Sequence, residues 1–218
     1  GGIELCQLDS NNALRAELAR LQAKEILLAE GSIETLGLSD YPCQERPPWE
    51  FEHSTAVHQL QQHFSTHDLQ AFECHQQPLA TAAAGALLQY LSYTQRDRLP
   101  HIHTLKVRNP DDFVYLDENT RRNLELTSNL QGNKKNTLLS ILDHSLTTMG
   151  SRQLKRWVTQ PIRSRTEREH RLDAVAELNS TELSDTLTPL LQPIGDIERI
   201  LSRVAIGSAR PRDCSQLC

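Results

Sequence analysis

The sequence predicts an α+β domain followed by an all-α segment, and three observations carry that prediction. Up to about residue 110, short runs of strand character alternate with helical patterns, whereas beyond Asp117 no strand signal recurs. Positive charge is gathered in one place. Thr120 to Arg171 holds eleven Lys/Arg against four Asp/Glu, a net +7 that leaves −12 for the rest of a chain whose total is −5. A length of 218 residues suits two ordinary domains, and the change of pattern sets the boundary between them.

Taken in order, Ile3 to Leu8 alternates as a strand does, and Asp9 or Ser10 caps a helix that lines Leu14, Leu18 and Leu21 along one face. Glu25 to Glu30 is a short apolar run bounded by charge and by Gly31-Ser32, which predicts a buried strand and completes a β-α-β unit. Gly37 to Pro48, with Tyr41-Pro42 and Pro47-Pro48, reads as loop, and Trp49 to Phe51 as a short extended approach to a helix beginning near Ser54. That helix turns Val57, Leu60 and Phe64 inward and leaves Ser54, His58, Gln59, Gln61 and Gln62 outside. Leu79 to Tyr93 is Ala-rich, contains Gly85, and is expected to be the most buried helix of the first domain. Past Leu99-Pro100, HIHTLKV and FVYLD read as two strands around the turn Arg108 to Asp112.

The second half is helical throughout. Leu138, Leu139, Ile141, Leu142 and Leu146 form an apolar stripe, and Thr147 or Thr148 offers an N-cap oxygen for the next helix. That helix is expected to bury Leu154, Trp157 and Val158, to expose Arg152, Lys155 and Arg156, and to stop at Pro161. Further helices are marked by Leu172, Val175 and Ala176, by Leu183, Leu187, Leu190 and Leu191, and by Ile197, Ile200, Leu201 and Val204. Gly150, Ser151 and Pro161 are read as turn, cap and stop, and Trp157 as a core anchor.

Several function classes are excluded or weakened. No apolar run approaches the roughly 18 residues of a membrane-spanning helix, and the N-terminus lacks the features of a secretory signal, so a soluble cytoplasmic protein is expected. Five cysteines with no CxxC pair argue against both a disulfide framework and a zinc ribbon. Of the nine histidines, only His63 and His67 are spaced to chelate from one helix, and surface histidines are the expected reading. No glycine is followed by the Lys-Ser or Lys-Thr of a phosphate-binding loop, so no nucleotide, metal or other cofactor is expected on this chain.

The segments NTRRNLEL, NLQGNKKNTLLSILD and TTMGSRQLKRWVTQPI, between Asn119 and Ile162, resemble the start of the helical core, or lever, domain of the MutS family of mismatch-recognition ATPases. The likeness runs on through GDIERILSRVAIGSARPRD and back into PPWEFEHSTA and LLQYLSYTQRDRLPHI, which resemble the family's connector domain. The resemblance implies a ribonuclease-H-like connector over residues 1–108, short of one or two edge strands, and the first part of the lever domain over 109–218. With its start lacking Met and its end at DCSQLC, the chain is read as a piece of a longer protein. It carries neither the family's Phe-x-Glu mismatch reader nor its ATP site, so no catalysis is expected of it. The longer protein would use ATP and Mg²⁺, bind mismatched double-stranded DNA, form homo-oligomers and recruit MutL. The motif residues Arg121, Arg122, Asn123, Gly150, Ser151, Arg152, Trp157 and Pro161 are expected to act structurally, in coupling. His58 and Gln59 fall where the family's motif places the MutL contact.

Two other classes stay open. A ribonuclease-H-type nuclease would need carboxylates converging on two metal ions, and only Glu4 is placed on the first strand. A stand-alone interaction module is the other. The basic segment could attract phosphates, but it lacks interleaved aromatics for base stacking and could equally pair with acidic neighbours.

Overall fold

The computed structural model describes residues 1–72, 74–95, 99–180 and 183–216, which fall into two compact units, Gly1–Pro110 and Asp111–Cys218. The first is α+β and the second is built from helices, as the sequence pattern predicts.

In the first unit, β1 (Gly2–Leu5) leads to α1 (Asn11–Leu21), whose N-cap Ser10 accepts a hydrogen bond from the Ala13 amide at 3.2 Å. Next come β2 (Ile26–Ala29), the single turn α2 (Ser32–Leu36) and β3 (Cys43–Arg46). A 3-10 turn, Pro48–Phe51, feeds α3 (His53–Phe64), followed by α4 (Pro78–Gln95) and β4 (Thr104–Val107). β1 pairs in parallel with β4, Ile3 opposite Leu105, and β2 pairs in parallel with β3, Leu27 opposite Gln44.

This arrangement corrects several expectations. The β-α-β unit does not close on itself, because β1 takes β4 as its partner from across the domain and β2 takes β3. Residues expected as loop supply β3, whose sequence Cys-Gln-Glu-Arg has no apolar alternation because neither face is fully buried. Pro48 starts a 3-10 turn in place of the extended approach that the sequence suggests, its fixed φ suiting the first helical position. FVYLD forms no strand; Phe113 makes only an isolated antiparallel bridge to Ile162. β2 is also half-buried along its length, not a buried strand.

The core lies between the β1–β4 pair and two helices. Ile3, Leu5, Leu60, Leu69, Cys74, Ala80, Ala84, Leu88, Leu99 and Leu105 form one buried cluster, with Val57 and Phe64 packed on it. α4 is deeply buried as expected, although Leu79 at its start is 71% exposed. Gly85 has a specific reason: a Cβ there would sit 2.4 Å from both Cα and Cβ of Ala56, so α3 and α4 touch backbone to backbone. α1 keeps Leu18 inside but leaves Leu21 exposed. Buried Arg108, just past β4, holds α1 and β1 through ion pairs to Glu17 and Glu4.

The second unit contains α5 (Glu118–Asn123), α6 (Leu138–Leu142), α7 (Thr148–Thr159), α8 (Arg165–Ser180), α9 (Leu183–Leu191), α10 (Ile197–Ala205) and α11 (Pro211–Ser215). Its interior is thin. Among its described residues only Leu126 and Ile200 are buried apolar side chains, while Ile141, Leu172, Val175, Leu190 and Leu201 are each more than half exposed. The apolar stripes read from the sequence are present as helix faces, but most of their side chains stay partly exposed.

Candidate functional site

With so little apolar burial, the helical unit is tied by capping and by charged joints, and the motif residues supply them. Thr137 caps α6 in a reciprocal box with Ser140, at 3.2 and 2.8 Å, and is itself buried. Thr147 caps α7, its Oγ1 accepting from the Gly150 amide at 3.0 Å. Gly150 therefore lies in the first turn of α7, not in a loop, and a Cβ on it would meet Thr147 Oγ1 at 3.1 Å and Ser145 Cβ at 3.3 Å. Ser151 is not the cap; its hydroxyl donates to Asp143 Oδ1 at 3.0 Å, and bonds from Ser145 and Ser151 hold that carboxyl below its usual range.

Arg152 makes the joint with the most contacts. Nη1 donates to Asp196 Oδ2 at 2.5 Å and Nη2 to Asp196 Oδ1 at 2.8 Å, while Nη2 also reaches Glu198 Oε2 at 2.7 Å. Asp196 is the N-cap of α10, accepting from the Arg199 amide at 3.3 Å, so one carboxylate joins the start of α7 to the start of α10. The Arg152 bonds depress the Asp196 pKa and raise that of the guanidinium.

A second joint lies at the far end of α7, about 10 Å along the helix axis from Arg152. Arg121 donates from Nη1 to the Thr159 carbonyl at 2.7 Å, covering a carbonyl left open where α7 ends, and from Nε to the Leu116 carbonyl just ahead of α5 at 3.1 Å. Pro161 ends the helix as expected, and its carbonyl accepts from the Val114 amide at 2.7 Å. Arg122 and Asn123 are exposed and lie outside both joints.

Trp157 departs from the expectation of a core anchor. The indole is 41% exposed, and the Arg171 guanidinium of α8 stacks over it at 4.4 Å from the ring centroid. The i, i+3, i+4 row with Leu154 and Val158 is real, but this unit places only part of a core against it. Sequence reading assigns no role to Asp143, Arg171, Asp196 or Glu198. An Asp just ahead of an apolar helix is an N-cap signal that could have flagged Asp196, whereas its pairing with an arginine 44 residues upstream leaves no local trace.

On α3 the two partner candidates separate. His58 is exposed, as read. Gln59 instead faces α4: its Nε2 donates to Gln89 Oε1 at 2.9 Å, so it is not part of the free outer face. Glu4, the one carboxylate placed for nuclease chemistry, is paired with Arg108 at 3.4 Å. Among the described residues no three His, Cys, Asp or Glu side chains are grouped to hold a metal ion, and no helix is long and apolar enough to cross a membrane.

A family model for MutS domain II matches residues 1–103, and one for MutS domain III matches residues 119–218. The chain belongs to the MutS family. The α+β unit is thus MutS domain II, the connector, and the helical unit MutS domain III, the core or lever. Both are domains of a DNA mismatch-repair protein. In MutS terms the Arg152–Asp196 and Arg121–Thr159 joints belong to domain III, and the α3–α4 pair with His58 belongs to domain II.

Proposed function

We propose that these two domains relay state within a MutS protein, between mismatched double-stranded DNA, an ATP- and Mg²⁺-dependent ATPase site elsewhere in the protein, and MutL. The chain's own part is mechanical and carries no catalysis. The observation that supports the reading is the placement of Arg121, Ser151 and Arg152, whose side chains are spent on fixing the ends of α7 to other segments. A helix held at both ends transmits a displacement as a rigid body, whereas one held by loosely packed apolar contacts would absorb it. The protein in this reading works in the cytoplasm as a homo-oligomer.

On the connector, His58 is the MutL-facing residue and Gln59 supports it from behind through Gln89. His58→Glu in a MutS carrying both domains should leave mismatch binding and ATP hydrolysis unchanged and weaken ATP-dependent recruitment of MutL. Recruitment equal to that of the unaltered protein would remove this face of α3 from the interface.

A further inference from the structure

The chain passes from the first unit to the second between Pro110 and Asp111, and on each side it is fastened within its own unit. On the first side Arg108 directly follows β4. Its amide donates to the Leu5 carbonyl at the end of β1 at 2.7 Å, which adds one bond to the β1–β4 ladder. Its buried guanidinium donates from Nη2 to Glu17 Oε1 of α1 at 2.5 Å, and Nε lies 3.4 Å from Glu4 Oε1 of β1. Burial pushes the Glu17 carboxyl up, but the bonds and charges of Arg20 and Arg108 outweigh it and hold the carboxyl below its usual range. On the second side the Asp112 carbonyl accepts from the Arg163 amide at 2.9 Å, and the Val114 amide donates to the Pro161 carbonyl at 2.7 Å. Those bonds tie the entering chain to the turn between α7 and α8. Pro110, with its fixed φ, opens a 3-10 turn between the two fastenings.

We infer that Arg108 is a positioning residue for the relay, the anchor through which the chain leaving domain II sets the place of α1 against the β1–β4 pair. The inference rests on the relay proposed above. One side chain reaches a strand and a helix at once, so a displacement carried along the connection moves β1, β4 and α1 together. A connection held by the strand ladder alone would leave α1 behind. The carboxylate that receives Arg108 is itself held still, because Arg20 donates to Glu17 from Nε at 3.0 Å and from Nη2 at 2.5 Å. Arg20 belongs to α1, so it shares the carboxylate without being part of the connection. The two arginines thus serve one acid in different ways: Arg20 braces it within its helix, and Arg108 joins it to the way out of the domain.

That difference supplies the test, in a MutS protein carrying both domains. The quantity measured is the factor by which ATP changes the affinity for a mismatched duplex. Arg108→Met should reduce that factor at least about threefold, while ATP hydrolysis without DNA and mismatch binding without nucleotide stay as they are. Arg20→Met removes the other partner of the same carboxylate and should lower the melting temperature without changing the factor. A merely structural role for Arg108 would make the two variants act alike. If Arg108→Met does not fold, Arg108→Lys carries the test: it keeps a cation for Glu17 but loses the fork that spans Glu17 and Glu4, and should reduce the factor about twofold. Arg121→Ala and Arg152→Ala, at the two joints of α7, examine the relay itself. If they reduce the factor and the Arg108 variants do not, the relay stands and the anchor is overturned; if none of them reduces it, both fail. Equal losses in Arg108→Met and Arg20→Met also overturn the inference.

Discussion

Arg152 grips Asp196 with both terminal nitrogens, at 2.5 and 2.8 Å, and the same carboxylate caps α10. The two roles reinforce each other. The cap orients the carboxylate along the axis of α10, and the fork-to-fork geometry of guanidinium and carboxylate then fixes where α7 must begin. Arg152 is about half exposed, so the pair's value lies more in geometry than in Coulomb energy.

That division predicts an asymmetry between the two partners. Asp196→Ala removes the cap and the ion pair together and should cost about 1–2 kcal/mol. Arg152→Ala removes only a half-exposed ion pair and should cost about 0.5–1 kcal/mol. Arg152→Lys should recover little of the loss, because an ammonium cannot match both oxygens. Denaturant titrations followed by far-UV circular dichroism would compare the three. Equal losses for Asp196→Ala and Arg152→Ala would show that the cap contributes nothing.

The same pair sets an acid limit. Hydrogen bonds from Arg152 are the chief cause of Asp196's depressed pKa, with the Arg199 amide and Thr148 assisting and burial opposing. The folded pKa lies below the unfolded one, near 3.9, so the stabilisation is complete above about pH 4–5 and is lost as pH falls through the depressed value. The melting-temperature difference between the unaltered chain and Asp196→Asn should therefore be flat from pH 7 to 5 and shrink only below about pH 4. A difference that already declines between pH 7 and 5 would mean that another group, such as a histidine, controls the joint.

The fold class was legible because the period of the apolar residues changes from short alternating runs to helical spacing near residue 110. Helix starts were legible too: Ser10 and Thr147 cap where polar residues precede apolar periodicity. Strand partners were not, because pairing of β1 with β4 spans a hundred residues and no local pattern encodes it. β3 was missed for a related reason, since a strand of Cys-Gln-Glu-Arg is held by its ladder bonds to β2 and not by burial. At the joints, residue type was legible and partner was not. A basic residue on a helix face reads the same whether it meets water or, as with Arg152, a carboxylate from a distant helix.

Trp157 shows how periodicity can mislead about energy. Full burial would predict a loss of about 3–5 kcal/mol on truncation to alanine. With the indole 41% exposed and its face covered by Arg171, Trp157→Ala should instead cost about 1–2 kcal/mol, part of it the cation–π contact. Arg171→Gln should reproduce the smaller part while leaving the apolar contacts in place. A loss of 3 kcal/mol or more for Trp157→Ala would restore the indole as a core anchor of domain III.

In domain II the most sensitive position should be Gly85, where α4 meets α3 with no room for a side chain. Gly85→Ala would ordinarily stabilise a helix by about 0.5–1 kcal/mol. Here the new Cβ would lie 2.4 Å from both Cα and Cβ of Ala56, and 3.3 Å from its carbonyl carbon, so the helices must part. Overpacking of this kind costs about 1–3 kcal/mol, which outweighs the gain in propensity. Ala56→Gly removes one of the two closest atoms but not the Cα, so adding it to Gly85→Ala should restore only part of the loss. The pair should show a coupling energy of about 0.5 kcal/mol or more in a double-mutant cycle. Additive losses, or a stabilised Gly85→Ala chain, would show that α3 and α4 are not in backbone contact at this crossing.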